Sequence, residues 1–95
     1  MTLTIRLKRE AQAGSEERED CIVKLTPAEP GTGIKIDIEG KSRDFFRDEI
    51  FKVFEETLKG MGIEDAHVWS KGRSPLNLTI VARTKAAAIK GGAFE

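Results

Sequence analysis

Ile34, Ile36 and Ile38 alternate with Lys35, Asp37 and Glu39. Successive side chains of a β-strand point to opposite faces, so this segment reads as a strand with one buried and one wet face. Such a strand needs sheet neighbours and a second layer over its apolar side. The next segment supplies the layer. From about Asp44 to Lys59 the apolar period changes to that of a helix, with Phe46, Ile50, Val53, Phe54, Thr57, Leu58 and Met61 on one stripe. Phe45 and Phe51 lie off its centre. Ser42 or Asp44 is placed to cap the first turn, because a short side-chain oxygen accepts from its free amides. Gly60 and Gly62 suit the left-handed residue that closes a helix. A half-wet strand followed by an amphipathic helix predicts an α+β sandwich.

The remaining elements come from the same two periods. Leu3, Ile5 and Leu7 alternate with polar residues and predict an edge strand. Residues 10–20 lose all periodicity and read as an exposed loop. Cys21, Val23 and Leu25 share one face, with Ile22 and Lys24 on the other. A proline- and glycine-rich turn covers residues 26–33. Segments 21–26 and 34–39 are then expected to pair as an antiparallel hairpin. Residues 66–70 form a short strand, with Ala66 and Val68 opposite His67 and Trp69. Residues 71–75 form a turn. Leu76, Leu78, Ile80 and Ala82 alternate with Asn77, Thr79, Val81 and Arg83, predicting a last strand. The alanine-rich stretch 84–90 favours helix. Gly91 and Gly92 end it, leaving 91–95 as a frayed tail. The expected order is β-ββ-α-ββ-α in one small domain, 1–95. It is a two-layer fold with a mostly antiparallel sheet, one long helix and a short C-terminal helix.

Composition excludes several function classes. Lys+Arg and Asp+Glu both number 16, which argues against a nucleic-acid binder. The basic set Lys41, Arg43, Arg47 and Lys52 reads as a solvated helix face. A single cysteine, Cys21, excludes an internal disulfide and reads as a small buried hydrophobe. No apolar run approaches membrane-span length, and the first ten residues lack a signal-peptide core, so a cytoplasmic location is expected. One histidine, His67, and one cysteine do not make a zinc site. Glu16, Glu17, Glu19 and Asp20 read as a solvated charge run. The glycines at 31 and 33, and at 60 and 62, lack the partners of a phosphate-binding fingerprint. These readings predict a chain with no metal, no membrane contact and no catalytic site of its own. Trp69 carries two readings, a binding platform on an exposed sheet face or a residue closing the edge of the core, with core favoured.

The loop Ala13-Gly14-Ser15-Glu16-Glu17-Arg18-Glu19-Asp20 holds one hydroxyl residue beside a glycine. Together with the segment from Cys21 to about Lys90, it resembles the acyl carrier protein, or gamma subunit, of citrate lyase. In that family the loop reads roughly Ala-Gly-Thr-Leu-Glu-Ser-Gly/Ser-Asp. Ala13, Gly14, Glu17 and Asp20 match it. Further matches are Cys21-Ile22-Val23, the 34–38 strand, Phe46-x-Asp48-x-Ile50, Gly62-Ile63-Glu64-Asp65-Ala66-His67-Val68, Lys71-Gly72 and Ala82-Arg83. The carriers of malonate decarboxylase are relatives with a comparable leading strand.

The resemblance implies a non-catalytic carrier. Its loop serine would hold a covalent phosphoribosyl-dephospho-coenzyme A arm through a phosphodiester, making it a phosphoprotein. The arm's thiol would carry acetyl and citryl between the acyl-transferase and lyase subunits of the complex, and a prosthetic-group transferase would attach it. A thioester activates the acyl group, and a long tether raises its local concentration at each active site. One position departs from the pattern. Arg18 stands where the family has the modified serine, and a guanidinium forms no phosphodiester. Ser15, aligned with the family's threonine, is the fallback anchor. Arg18 also motivates the alternative, a binding or assembly subunit that keeps the fold and has lost the arm.

Overall fold

The computed structural model describes residues 4–39, 47–72 and 75–95. The proposed caps Ser42 and Asp44 and the start of the helical stripe at Phe46 lie outside them. The elements are β1 (Ala11–Gly14), β2 (Cys21–Pro27), β3 (Ile34–Glu39), α1 (Arg47–Gly60), β4 (Ala66–Gly72) and α2 (Asn77–Lys90). The four strands form one sheet in the order β1-β2-β4-β3. β1–β2 and β2–β4 are antiparallel, and β3–β4 is parallel. The α+β class and the mostly antiparallel sheet match expectation.

The expected hairpin between 21–26 and 34–39 does not form. β4 lies between these segments, pairing with both. The path from β3 to β4 runs through α1, and a crossover through a helix is how parallel neighbours are joined. The turn before β3 is pinned instead by Asp65, whose Oδ1 accepts from the amides of Gly31 (3.0 Å) and Gly33 (2.9 Å).

Register sorts the side chains cleanly. Ala13, Val23, Ser70 and Ile38 share one row, and Ala11, Leu25, Val68 and Ile36 the next. Val23, Leu25 and Val68 on this inner face are fully buried, with Phe54 and Leu58 of α1 and Ile80 of α2. Burying each such side chain contributes about 1.5–3 kcal/mol. Thr57 and Thr84 are buried too, and each hydroxyl donates to the carbonyl four residues back, Val53 and Ile80, at 2.7 Å. Neither buried hydroxyl is left without a partner.

Three further expectations are corrected. Of the Leu3–Leu7 edge strand, the described part makes one isolated bridge, Ile5 to Ile63. Leu7 is buried, however, and the segment is held by the amides of Ile5 and Lys8 bonding to Gly62 and Gly91 at 2.8 Å. The segment 77–82 is helix, with Leu76 as its extended N-cap residue, and is continuous with 84–90, so the C-terminal helix has 14 residues, as many as α1. Its buried positions, Ile80, Thr84, Ala87 and Ala88, follow the helical period. Leu76 and Leu78, which produced the apparent alternation, are 63% and 81% exposed. The tail does not hang free: Ala93 is buried, and Glu95 pairs with Arg9.

Candidate functional site: the β1–β2 hairpin tip

Residues 10–20 are not one loop. Ala11–Gly14 is strand β1, paired in register with Ile22–Leu25. Alanines, a glutamine and a glycine carry weak strand propensity, so sheet pairing overrides local preference here. What projects is the tip, 15–20. Its base is narrow. Gly14 has φ +98, and a Cβ built there would lie 1.8 Å from the Cys21 carbonyl oxygen. Gly72 on β4 also faces Cys21, with a Cβ position 2.6 Å from the Cys21 Cβ. Glycine is required at 14 by conformation as well as by space.

Asp20 organises the tip. Arg83 of α2 donates from Nε to Oδ1 at 2.9 Å and from Nη2 to Oδ2 at 3.1 Å. Ser15 Oγ donates to Oδ2 at 2.7 Å, and the Cys21 amide donates to Oδ1 at 2.7 Å. The Glu17 amide donates to Ser15 Oγ at 3.3 Å. The two-pronged arginine bond, helped by those from Ser15 and the Cys21 amide, outweighs desolvation and lowers the Asp20 pKa to about 2. Asp20 therefore orients the Ser15 hydroxyl and is a poor base for it. The tip closes through the Asp20 amide bonding to the Glu17 carbonyl at 3.0 Å and through Glu19, at φ 64.

Ser15 is half-buried at the base of the tip, while Glu16, Glu17, Arg18 and Glu19 are exposed. Ser15 and Arg18 thus share one projecting turn, but only Ser15 belongs to the Asp20 network. Arg18 makes no hydrogen bond or ion pair among the described residues. The acidic run is only partly a solvated run: Glu16 pairs with Lys71 at 3.1 Å, and Asp20 is bound as above.

The other singled-out residues sit elsewhere. Cys21 is buried on the inner face, and burial, followed by the Asp20 charge, pushes its thiol up to about 11. It stays a neutral thiol at ordinary pH. His67 is on the outer face, its Nε2 2.6 Å from Asp37. The sheet separates His67 from Cys21. Trp69 is also on the outer face and half-buried, which corrects the favoured core reading. Of the basic set, Lys41 and Arg43 lie outside the described residues, and Lys52 is exposed beside Glu56 at 3.9 Å. No helix among the described residues is long and apolar enough to cross a membrane.

The Asp20–Arg83 clamp, 63 residues apart in sequence, was not expected as a pair. Its two residues do stand among the positions that carry the resemblance, Asp20 in the loop and Arg83 beside Ala82.

Fold and tip together define a small α+β domain that presents a braced hairpin turn beside the middle of its last helix. The chain belongs to the malonate decarboxylase delta subunit (MdcD) family, whose model matches residues 8–90. Among curated proteins it is 31% identical to the citrate lyase acyl carrier protein of Halothermothrix orenii, over 85% of this chain and 84% of that one. It is 37% identical to that of Clostridium perfringens, over 85% and 79%. It is 36% identical to that of Streptococcus mutans, over 94% and 86%. A chain in the crystal structure of a Pseudomonas malonate decarboxylase hetero-tetramer in complex with malonate shares the fold, with a TM-score of 0.72 at 14% identity, over 95% of this chain and 91% of that one.

Proposed function

We propose that this chain is the acyl-carrier subunit of a citrate-lyase-like complex, a single carrier domain with no catalytic centre of its own. The reading carries acetyl and citryl as thioesters on a covalent phosphoribosyl-dephospho-coenzyme A arm anchored at Ser15. The observation behind it is the braced tip. Gly14, Asp20 and Arg83 hold a projecting turn whose one hydroxyl is oriented by a carboxylate, in a chain similar over most of its length to proteins named citrate lyase acyl carrier protein. A rigid base under an exposed turn suits an anchor that an attaching enzyme must reach. Because Asp20 is a weak base, proton removal from Ser15 falls to that enzyme, the prosthetic-group transferase. The bound arm would supply a thiol for the acyl group, and the protein would supply its position. Lyase and acyl-transferase subunits are the partners of this reading.

Arg18 favours a second reading. It occupies the family's serine position at the exposed tip, so the chain acts as a binding or assembly subunit without an arm. Intact-mass measurement separates the two. The chain is incubated with an attaching enzyme proven active on a serine-bearing carrier and with its activated arm. The carrier reading expects one arm's mass on Ser15, absent from Ser15→Ala. No adduct, with stable association to lyase-type subunits, gives the assembly reading. Gain of an adduct at position 18 in Arg18→Ser then reports that the enzyme still recognises the rest of the tip.

A further inference from the structure

We propose that the outer sheet face around Trp69 is a resting site for an adenine nucleotide, namely the nucleotide portion of the arm. The proposal rests on the carrier reading for its occupant and on the sheet itself for its chemistry. Gln12, Lys24, Trp69 and Asp37 form one cross-strand row on the outer face. Trp69 stands near the middle of it, half-buried, with its indole Nε1 donating to Glu39. That bond fixes the ring against the sheet. Lys24 Nζ lies 5.6 Å from the ring centroid.

The neighbouring row contains Gly14, Ile22, Lys71 and Glu39. Ile22 adds an apolar edge beside the indole. Lys71 Nζ lies 3.1 Å from Glu16 Oε1, which brings the hairpin tip onto this face. The charges around the ring are held in exposed pairs. On the β3 side Asp37 lies 2.6 Å from His67 Nε2 and Glu39 accepts from Trp69, while Lys24 on the β2 side faces Glu10 and Lys71 toward the tip faces Glu16. A purine stacked on Trp69 would have carboxylates on one side to accept from an exocyclic amine. Its phosphates would lie on the other side, toward Lys24, Lys71 and the tip. The remaining lone pairs of Asp37 and Glu39 suit a base with an exocyclic amine, as adenine has, and the two lysines orient the nucleotide toward its own anchor.

Binding requires Lys24 to leave the ring, and the loss is small. Lys24 is 37% exposed and pairs only loosely with Glu10, at 3.7 Å. Base-on-aromatic stacking exceeds an exposed cation–π contact. The reach is short. In the plane of the sheet Ser15 and the Trp69 row are about three residues and two strands apart, roughly 10 Å in each direction, and the arm also rounds the tip, because Ser15 Oγ is bonded to Asp20 on the side of Arg83 and α2. A tether that short supplies a local concentration in the ~mM range, so a weak intrinsic affinity is enough.

The chain has one tryptophan and no tyrosine, so its fluorescence reports Trp69 directly. The unmodified chain is titrated with AMP, dephospho-coenzyme A, IMP and pantetheine. AMP and dephospho-coenzyme A are expected to quench Trp69 with half-saturation in the ~mM range. IMP, which lacks the amine, is expected to need several-fold more, and pantetheine to do nothing. Lys24→Ala with Lys71→Ala is expected to raise half-saturation several-fold for the phosphate-bearing ligands. Saturation-transfer NMR on Trp69→Ala is expected to lose the adenine signal. No quenching by AMP at ~10 mM, well above the tether's local concentration, overturns the proposal, as does equal quenching by pantetheine. The titration uses free nucleotide on a chain without an arm. A failed attachment reaction therefore leaves this result intact, and a failed titration leaves the mass measurement of Ser15 intact.

Discussion

At the scale of single residues, Asp20 holds the tip. Its carboxylate receives four hydrogen bonds, from Ser15, the Cys21 amide and two nitrogens of Arg83. Its side chain is 15% exposed and that of Arg83 is 41% exposed, so solvent screens part of the attraction. With that discount the charge contributes on the order of 1 kcal/mol. The folded pKa, about 2, lies below the ordinary 3.8. The contribution is therefore complete above about pH 4 and lost as pH falls through about 2. Thermal unfolding of wild type and Asp20→Asn from pH 7 downward checks this. The wild type is expected to be more stable by a constant margin to about pH 4, and the margin to close toward pH 2. A margin independent of pH across that range would mean that Asp20 acts without its charge. Ser15 and Arg18 were legible as tip residues because the stretch lacks any apolar period. The Asp20–Arg83 bond was not, since periodicity says nothing about which polar groups meet across 63 residues.

At the scale of elements, the strands at 21–25, 34–38 and 66–70 were legible because one face of each packs on the core, only partly buried in 34–38, and the other is wetter. Their order was not. The same alternation fits a β2–β3 hairpin or a sheet with β4 between them, and only the crossover through α1 decides. β1 was missed for the opposite reason: its four residues carry almost no strand signal and are ordered by pairing to β2. The segment 76–82 misled because two exposed leucines fall in step with Ile80. Helix and strand make different demands there. In a strand, Leu76, Leu78 and Ile80 would share a face and matter alike. In α2, Ile80 is 1% exposed and Leu78 is 81% exposed. Chemical denaturation should find Leu78→Ser within about 0.5 kcal/mol of wild type. Ile80→Ala should lose about 2–5 kcal/mol. Comparable losses at both positions would contradict the helix.

At the scale of the whole molecule, residues 5–9 and 91–95 are joined to each other beside the core. The Lys8 and Arg9 amides bond to the Gly91 carbonyl at 2.8 and 3.2 Å, and the Ala93 amide bonds to Ala88 at 3.1 Å. Ala93 is 4% exposed and Leu7 is 7% exposed, and both belong to the core. The Arg9–Glu95 pair lies outside them, with both side chains about half exposed, at 51% and 55%. Gly91 and Gly92 gave this segment the look of a frayed tail, yet backbone bonds and the buried side chains of Leu7 and Ala93 fix it. Stability should therefore depend on burial here and not on the visible ion pair. Glu95→Gln removes the charge from an exposed, solvent-screened pair and should cost little, and less still with added salt. Ala93→Glu forces a carboxylate into a buried position of the core and should cost several times as much, since a charge without a partner resists burial. Hydrogen exchange gives the local readout. Ala93→Glu should release the amides of Lys8 and Arg9 while the β2–β4 amides, at the sheet centre, keep their protection. Glu95→Gln should leave both sets unchanged. If Glu95→Gln alone released the Lys8 amide, the ion pair would be the clasp, and the buried alanine would be incidental to how the chain ends are held.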